Sequence, residues 1–133
     1  MYVKKQFNQV KEFHEKFGHP VADKPTAMKF DRRDKRFGYM EEENQEFVEA
    51  KTVVDQADAM VDLMYFALGT LVELGVDPEP LFDIVHNANM SKVWPDGEVK
   101  YDPQSNKILK PPTFVRPEPL IEAEIKRQTK GAE

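Results

Sequence analysis

Cysteine is absent from this 133-residue sequence, which rules out disulfides and thiolate metal sites. Uninterrupted apolar sequence is scarce too. The longest such stretch, Val61 to Leu74, is broken by Asp62, Gly69 and Glu73, so it does not read as a membrane span. The opening Met1-Tyr2-Val3-Lys4-Lys5-Gln6-Phe7 lacks the apolar core of a secretory signal, and a cytoplasmic protein is expected. Positive charge is the third shortage. Nineteen Lys and Arg against 24 Asp and Glu leave a net charge of −5, which argues against wholesale binding to a nucleic-acid polymer or an anionic membrane. A small basic pocket for one phosphorylated ligand remains compatible with that balance. Trp94 is the only tryptophan; for it and for Tyr65, packing is the simpler role and stacking on a base the alternative.

What is present is helical periodicity. One domain over residues 1–133 is expected, with a helical core (1–91) and a C-terminal arm ending in a short helix (92–133). Val3, Phe7, Val10, Phe13 or His14, and Phe17 recur every three or four residues, predicting a first helix over 2–17 that stops at Gly18. An irregular loop follows over 18–29. A second helix runs from about Phe30 or Arg33 to Lys51, with Phe37, Met40, Phe47 and Ala50 as inward candidates. A third covers Val53 to Leu74 and ends at Gly75. Asp77 suits an N-cap and Pro78 a first helical position, so a fourth helix begins there, carrying Leu81, Phe82, Ile84, Val85, Ala88 and Asn89. Beyond Lys92 the character changes: Pro95-Asp96-Gly97 and Ser105-Asn106 are turn sequences, and Val99, Tyr101, Ile108 and Leu109 suit a short β-hairpin. A last helix is expected over about 118–128, with a frayed charged tail. The fold class is all-α, a four-helix bundle. The second half of the third helix is apolar nearly all round, so a second copy of the chain is expected to cover it, as a homodimer or homotetramer.

The chemistry-bearing pattern is acidic. On the second helix Glu42 and Glu46 lie four apart, and Glu43 and Glu46 three apart; on the third, Asp58 and Asp62 lie four apart, with Asp55 a turn earlier. These spacings stack side chains on one helix face. Glu42 or Glu49 alone reads as solvated surface, and Asp55 as a first-turn residue favoured by the helix dipole. Asp58 and Asp62 resist that reading, because Asp is a poor helix former and these two sit mid-helix beside Ala57, Val61 and Leu63. If the second and third helices pair antiparallel, four carboxylates converge, and like charges require a cation between them. Mg²⁺, with Mn²⁺ as a substitute, suits hard oxygen ligands. A di-iron bundle would need paired Glu-x-x-His motifs. The nearest match, Asp83-Ile84-Val85-His86, occurs once and with Asp in place of Glu, so a non-redox ion is favoured.

The stretch Glu42-Glu43-x-x-Glu46-Phe47-x-Glu49-Ala50, followed by Asp58-x-x-x-Asp62-Leu63-x-Tyr65, resembles the all-α nucleoside triphosphate pyrophosphohydrolases, the MazG-like superfamily. Gly69-x-x-x-Glu73-Leu74-Gly75-Val76-Asp77, His86-Asn87-Ala88-Asn89-Met90-Ser91-Lys92, Pro95-Asp96-Gly97 and Lys107-Ile108-Leu109-Lys110-Pro111 are similar to its phosphoribosyl-ATP pyrophosphohydrolase-like subgroup. The likeness spans roughly residues 30 to 120. It implies Mg²⁺-dependent cleavage between the α- and β-phosphates of a nucleotide. It further implies Glu43 and Glu46 as a first metal-binding pair, Asp62 as the last acid of a second pair, and Glu42 as the group that orients or deprotonates water. The superfamily's usual second pair is Glu-x-x-Asp, and its Glu position here is Ala59; Asp58, one residue earlier, is the candidate substitute. Lys92, Lys107, Lys110 and Arg36 are candidates for stabilising charge on the leaving pyrophosphate. Asn89, a turn before Lys92, is a candidate for bonding a phosphate or base edge. Two competing readings are a nucleotide- or metal-binding module without turnover, which Ala59 favours, and a purely structural oligomer, which leaves Asp58 and Asp62 unexplained.

Overall fold

The computed structural model describes residues 2–133, among which the regular elements are five α-helices: α1 (Val3–Phe17), α2 (Phe30–Glu49), α3 (Val53–Leu74), α4 (Pro78–Met90) and α5 (Glu118–Gly131). No strand forms among these residues, and the fold is all-α as the periodicity implied. No single helix is long and apolar enough to cross a membrane. The chain divides into two compact units. One comprises residues 1–78 with 128–133, the other residues 79–127.

In the first unit α3 is the central element, packed on both α1 and α2. Its bounds follow from its ends. The Thr52 hydroxyl accepts the Asp55 amide at 3.1 Å, satisfying one of the free donors of the first turn. Gly75 ends it with φ 70, and its Cα faces the Lys24 carbonyl so closely that a side chain would have no room. The loop before α2 uses the remaining carbonyls of that end: Ala22 N–H donates to Val72 O at 3.2 Å and Thr26 N–H to Leu74 O at 2.9 Å. The apolar core lies between α1 and α3, where Phe7, Val10, Leu68 and Val72 are buried with Val3, Val21 and Leu71 packed against them. Gln128, near the end of α5, clasps the Asp77 backbone, accepting its N–H at 2.9 Å and donating to its carbonyl at 3.1 Å.

Several expectations about faces are corrected. Phe17, Phe37 and Phe47 are 64%, 64% and 41% exposed, where periodicity had placed them inward. On α2 the inward stripe is occupied by Arg36 and Glu43, both buried, which turns Phe37 outward. In the second half of α3, Leu68 and Val72 are buried within this chain, while Met64 and Tyr65 stay exposed, as do Val53, Val54 and Val61 in the first half.

In the second unit the expected hairpin reduces to one antiparallel bridge, Tyr101 to Ile108, closed by a turn in which Asn106 has φ 59. Asp102 holds that turn by accepting the Gln104 and Ser105 amides at 2.8 and 3.1 Å. The final helix does not fray at 128 but continues to Gly131. Ion pairs one turn apart, Glu122 with Lys126 at 3.2 Å and Glu124 with Arg127 at 2.7 Å, support the extension.

Candidate active site

Contacts between α2 and α3 set the register of the site. Arg32 meets Glu73, Arg36 meets Thr70 and Phe66, Tyr39 stacks on Phe66, and Gln56 reaches the Ala50 carbonyl at the link. As residue numbers rise along α2 they fall along α3, so the helices are antiparallel. That register carries Glu43 towards Asp62 and Glu46 towards Asp58.

Glu43 is the buried member, and its Oε2 has no hydrogen-bond partner. Burial, followed by the neighbouring Glu46, Asp62 and Asp58 carboxylates, pushes its carboxyl up to about 7. Asp62 is half-buried and also raised, first by burial and then by Asp58 and Glu46. Glu46 and Asp58 are exposed, and with Glu49, Ala50 and Asp55 they line an open depression of about 270 Å³. The four carboxylates of the sequence pattern are therefore within electrostatic reach of one another. Glu42 faces solvent, about 100° round the helix from Glu43. Ala59 is 2% exposed, so its face of α3 is interior, while Asp58 one residue earlier reaches the open depression.

The donor set fits a hard divalent cation. Glu43 presents a buried carboxylate oxygen with no protein donor, beside three further carboxylates and with no basic side chain among the causes of its shift. The fit lies in donor chemistry: among the described residues no three His, Asp or Glu side chains already form a closed coordination group.

Arg36 is placed differently from its expectation. It is 3% exposed and spends its donors inside the fold: Nη1 lies 3.2 Å from Glu73 Oε2, Nε donates to Thr70 Oγ1 at 3.1 Å, and Nη2 donates to Phe66 O at 2.7 Å. Its guanidinium also lies over the Tyr39 and Phe66 rings, each centroid 5.5 Å away. Glu73 takes a second, bidentate pair from Arg32 at 2.9 Å for each bond. This Arg–Glu–Arg group ties α2 to α3, with His14 of α1 nearby. Periodicity offered His14 as an inward position and Glu73 entered only through the family likeness; neither was assigned a polar partner, and both are buried. The available signal was Arg32 and Arg36 at i, i+4 on the face that continues to Glu43.

The remaining candidates lie in the second unit. Asn89, Lys92 and Lys110 line one cavity of about 350 Å³, whereas Lys107 is exposed and outside its lining. Trp94 packs locally, its Nε1 donating to Leu109 O at 3.3 Å with the Lys100 ammonium 4.5 Å above its ring.

Residues 10–89, which include every acidic candidate and both packing helices, match the phosphoribosyl-ATP pyrophosphohydrolase family. The chain belongs to that family. Among solved structures it is similar to a proposed NTP pyrophosphohydrolase from Exiguobacterium sp. 255-15, with 32% identity over 96% of this chain and 98% of that one and a TM-score of 0.57. No curated protein matches it. Pyrophosphohydrolase chemistry is therefore the general activity to which the family points, on the all-α scaffold the sequence resembled.

Proposed function

We propose that this protein is a Mg²⁺-dependent nucleotide pyrophosphohydrolase. It cleaves a nucleoside triphosphate, or a related phosphorylated nucleotide, between the α- and β-phosphates to give the monophosphate and pyrophosphate. The observation that carries the reading is the buried Glu43 carboxyl, its Oε2 without a hydrogen-bond partner, beside Glu46 on the same helix and near Asp58 and Asp62 of α3. A protein gains no stability from four acids placed so; the arrangement makes sense as a cation cradle. Glu43, Glu46, Asp58 and Asp62 would hold Mg²⁺. When bound, the ion neutralises phosphate oxygens and lowers the pKa of a water. Glu42, exposed beside the cradle, accepts the proton of the attacking water as its oxygen bonds to phosphorus and the bridging P–O bond breaks. Within the second unit, Lys92, Lys110 and Asn89 are the candidate phosphate-binding side chains. The protein acts in the cytoplasm and self-associates, with exposed Val61 and Met64 of α3 at the contact; light scattering after size-exclusion chromatography tests the second point.

The competing reading, a binding module without turnover, is favoured by Ala59, a buried methyl where the resemblance places a carboxylate. Pyrophosphate release measured over a panel of nucleoside triphosphates with and without Mg²⁺ separates the two. Release that requires Mg²⁺ and disappears in Asp62→Asn supports the enzyme; nucleotide and Mg²⁺ binding with no turnover of any nucleotide overturns it.

A further inference from the structure

The second unit contains a pocket that its sequence did not disclose. The arm at residues 111–117 is tied to the end of α4 by Ser91, whose hydroxyl donates to Ala88 O at 2.7 Å and accepts the Val115 amide at 2.9 Å. A turn just before, with Phe114 N–H on Pro111 O at 3.0 Å, sets the Phe114 ring into the cavity of about 350 Å³ that Asn89, Lys92 and Lys110 also line. That volume is at the lower end of the range for small-molecule sites.

Its chemistry is two-sided. Val85, Ala88 and Phe114 make an apolar wall, while Lys92, Lys110 and Arg116 bring three cations against one carboxylate, Glu118, in a chain of net charge −5. The Lys110 ammonium sits 5.0 Å from the Phe114 ring centroid, so charge and aromatic surface are presented together. Arg116 Nε is 3.7 Å from Glu118 Oε2, a loose and exposed pair that a phosphate can displace. An inorganic phosphate needs the cations and not the wall; an apolar metabolite needs the wall and not the cations. A nucleotide uses both.

We infer that this pocket of the second unit is a nucleotide-binding site in which Phe114 and Arg116 discriminate among ligands. Phe114 packs against the base of a bound nucleotide, Arg116 pairs with its phosphate beside Lys92 and Lys110, and Ser91 is the positioning residue that holds the arm in place. The inference rests on the nucleotide reading above and concerns this pocket by itself.

The test is calorimetric titration of the full-length protein with the four common nucleoside monophosphates and with tripolyphosphate. It is paired with steady-state pyrophosphate release, using Arg116→Ala, Phe114→Leu, Ser91→Ala and, as a control, Lys126→Ala on exposed α5. Arg116→Ala should weaken all nucleotides and tripolyphosphate alike, by about tenfold or more, as expected for loss of a charge-assisted bond. Phe114→Leu, which keeps an apolar side chain but removes the aromatic ring, should flatten the differences among bases and leave tripolyphosphate binding unchanged. Ser91→Ala should weaken nucleotide binding, Ser91→Thr should restore it, and Lys126→Ala should alter nothing. Unchanged nucleotide affinity in both Arg116→Ala and Phe114→Leu, with circular dichroism showing both folded, overturns the inference. If turnover is absent but binding still depends on Arg116, the pocket stands and the enzymatic reading falls. If both variants bind nucleotides as wild type does while turnover proceeds, the enzymatic reading stands and the pocket falls.

Discussion

Replacing Glu43 by Gln should make the metal-free protein more stable while abolishing its function. In the unfolded chain the Glu43 carboxyl titrates at an ordinary 4.5, whereas in the fold it keeps its proton to about 7. Between those values the native state binds more protons than the unfolded one, so the Glu43 contribution makes stability fall as pH rises from about 4.5 to 7, and it is level above. Full shielding would make the penalty at pH 8 roughly 3 kcal/mol. Glu46 and Asp58 are exposed and solvent screens them, which brings the expected value to about 1–2 kcal/mol. Glu43→Gln removes the charge, keeps the volume, and gives Glu46 an amide donor. Urea unfolding in EDTA should show the variant more stable than wild type by that amount at pH 8 and nearly equal to it at pH 4.5. Mg²⁺ should raise the melting temperature of wild type, by binding the native state alone, and should leave the variant nearly unmoved. A variant no more stable than wild type at pH 8 in EDTA would refute the claim that four crowded carboxylates tax this fold.

Three further outcomes test the assignment of roles. Asp62→Asn should lose Mg²⁺-stimulated pyrophosphate release by at least about a hundredfold, as for loss of a metal-site acid, and a mild loss would remove Asp62 from the cradle. Arg36→Ala should cost about 3 kcal/mol in urea unfolding, because it strips one of two partners from a Glu73 side chain that is 2% exposed. At a temperature where that variant is folded, KM should be unchanged; a large rise in KM would restore Arg36 to the substrate. Gly69→Ala should destabilise by about 1–3 kcal/mol, since a Cβ there would run into the Arg36 guanidinium and lie 2.8 Å from His14 Nε2, both buried side chains. A fully stable Gly69→Ala protein would show that the group repacks.

Much of the helical framework was legible because its signals are local. Gly75 ends α3 and Asp77-Pro78 opens α4 at the residues where those helices do end and begin. The arm was less legible. Its charged end continues as helix through ion pairs a turn apart, and its expected hairpin shrinks to one bridge because turn chemistry at Asp102 and Asn106 had no second ladder to extend. The faces of α2 were misjudged for a different reason. Hydrophobic periodicity assigns phenylalanines inward by default, yet the space beside α3 is filled by Arg36 pairing with Glu73, which no property of Arg36 alone announces.

By itself the sequence determined an all-α chain with two acidic sets, each on one helical face, because side-chain direction along a helix depends only on residue spacing. Tertiary structure alone decided that Glu43 is the carboxylate taken out of water, that Arg36 is spent inside the bundle, and that Ala59 points inward while Asp58 reaches the open depression. It also brought Phe114 and Arg116 into one pocket with Asn89 and Lys92, more than twenty residues away in sequence. Burial, and the charge shifts that follow from it, belong to the packing of two elements and are written in neither one.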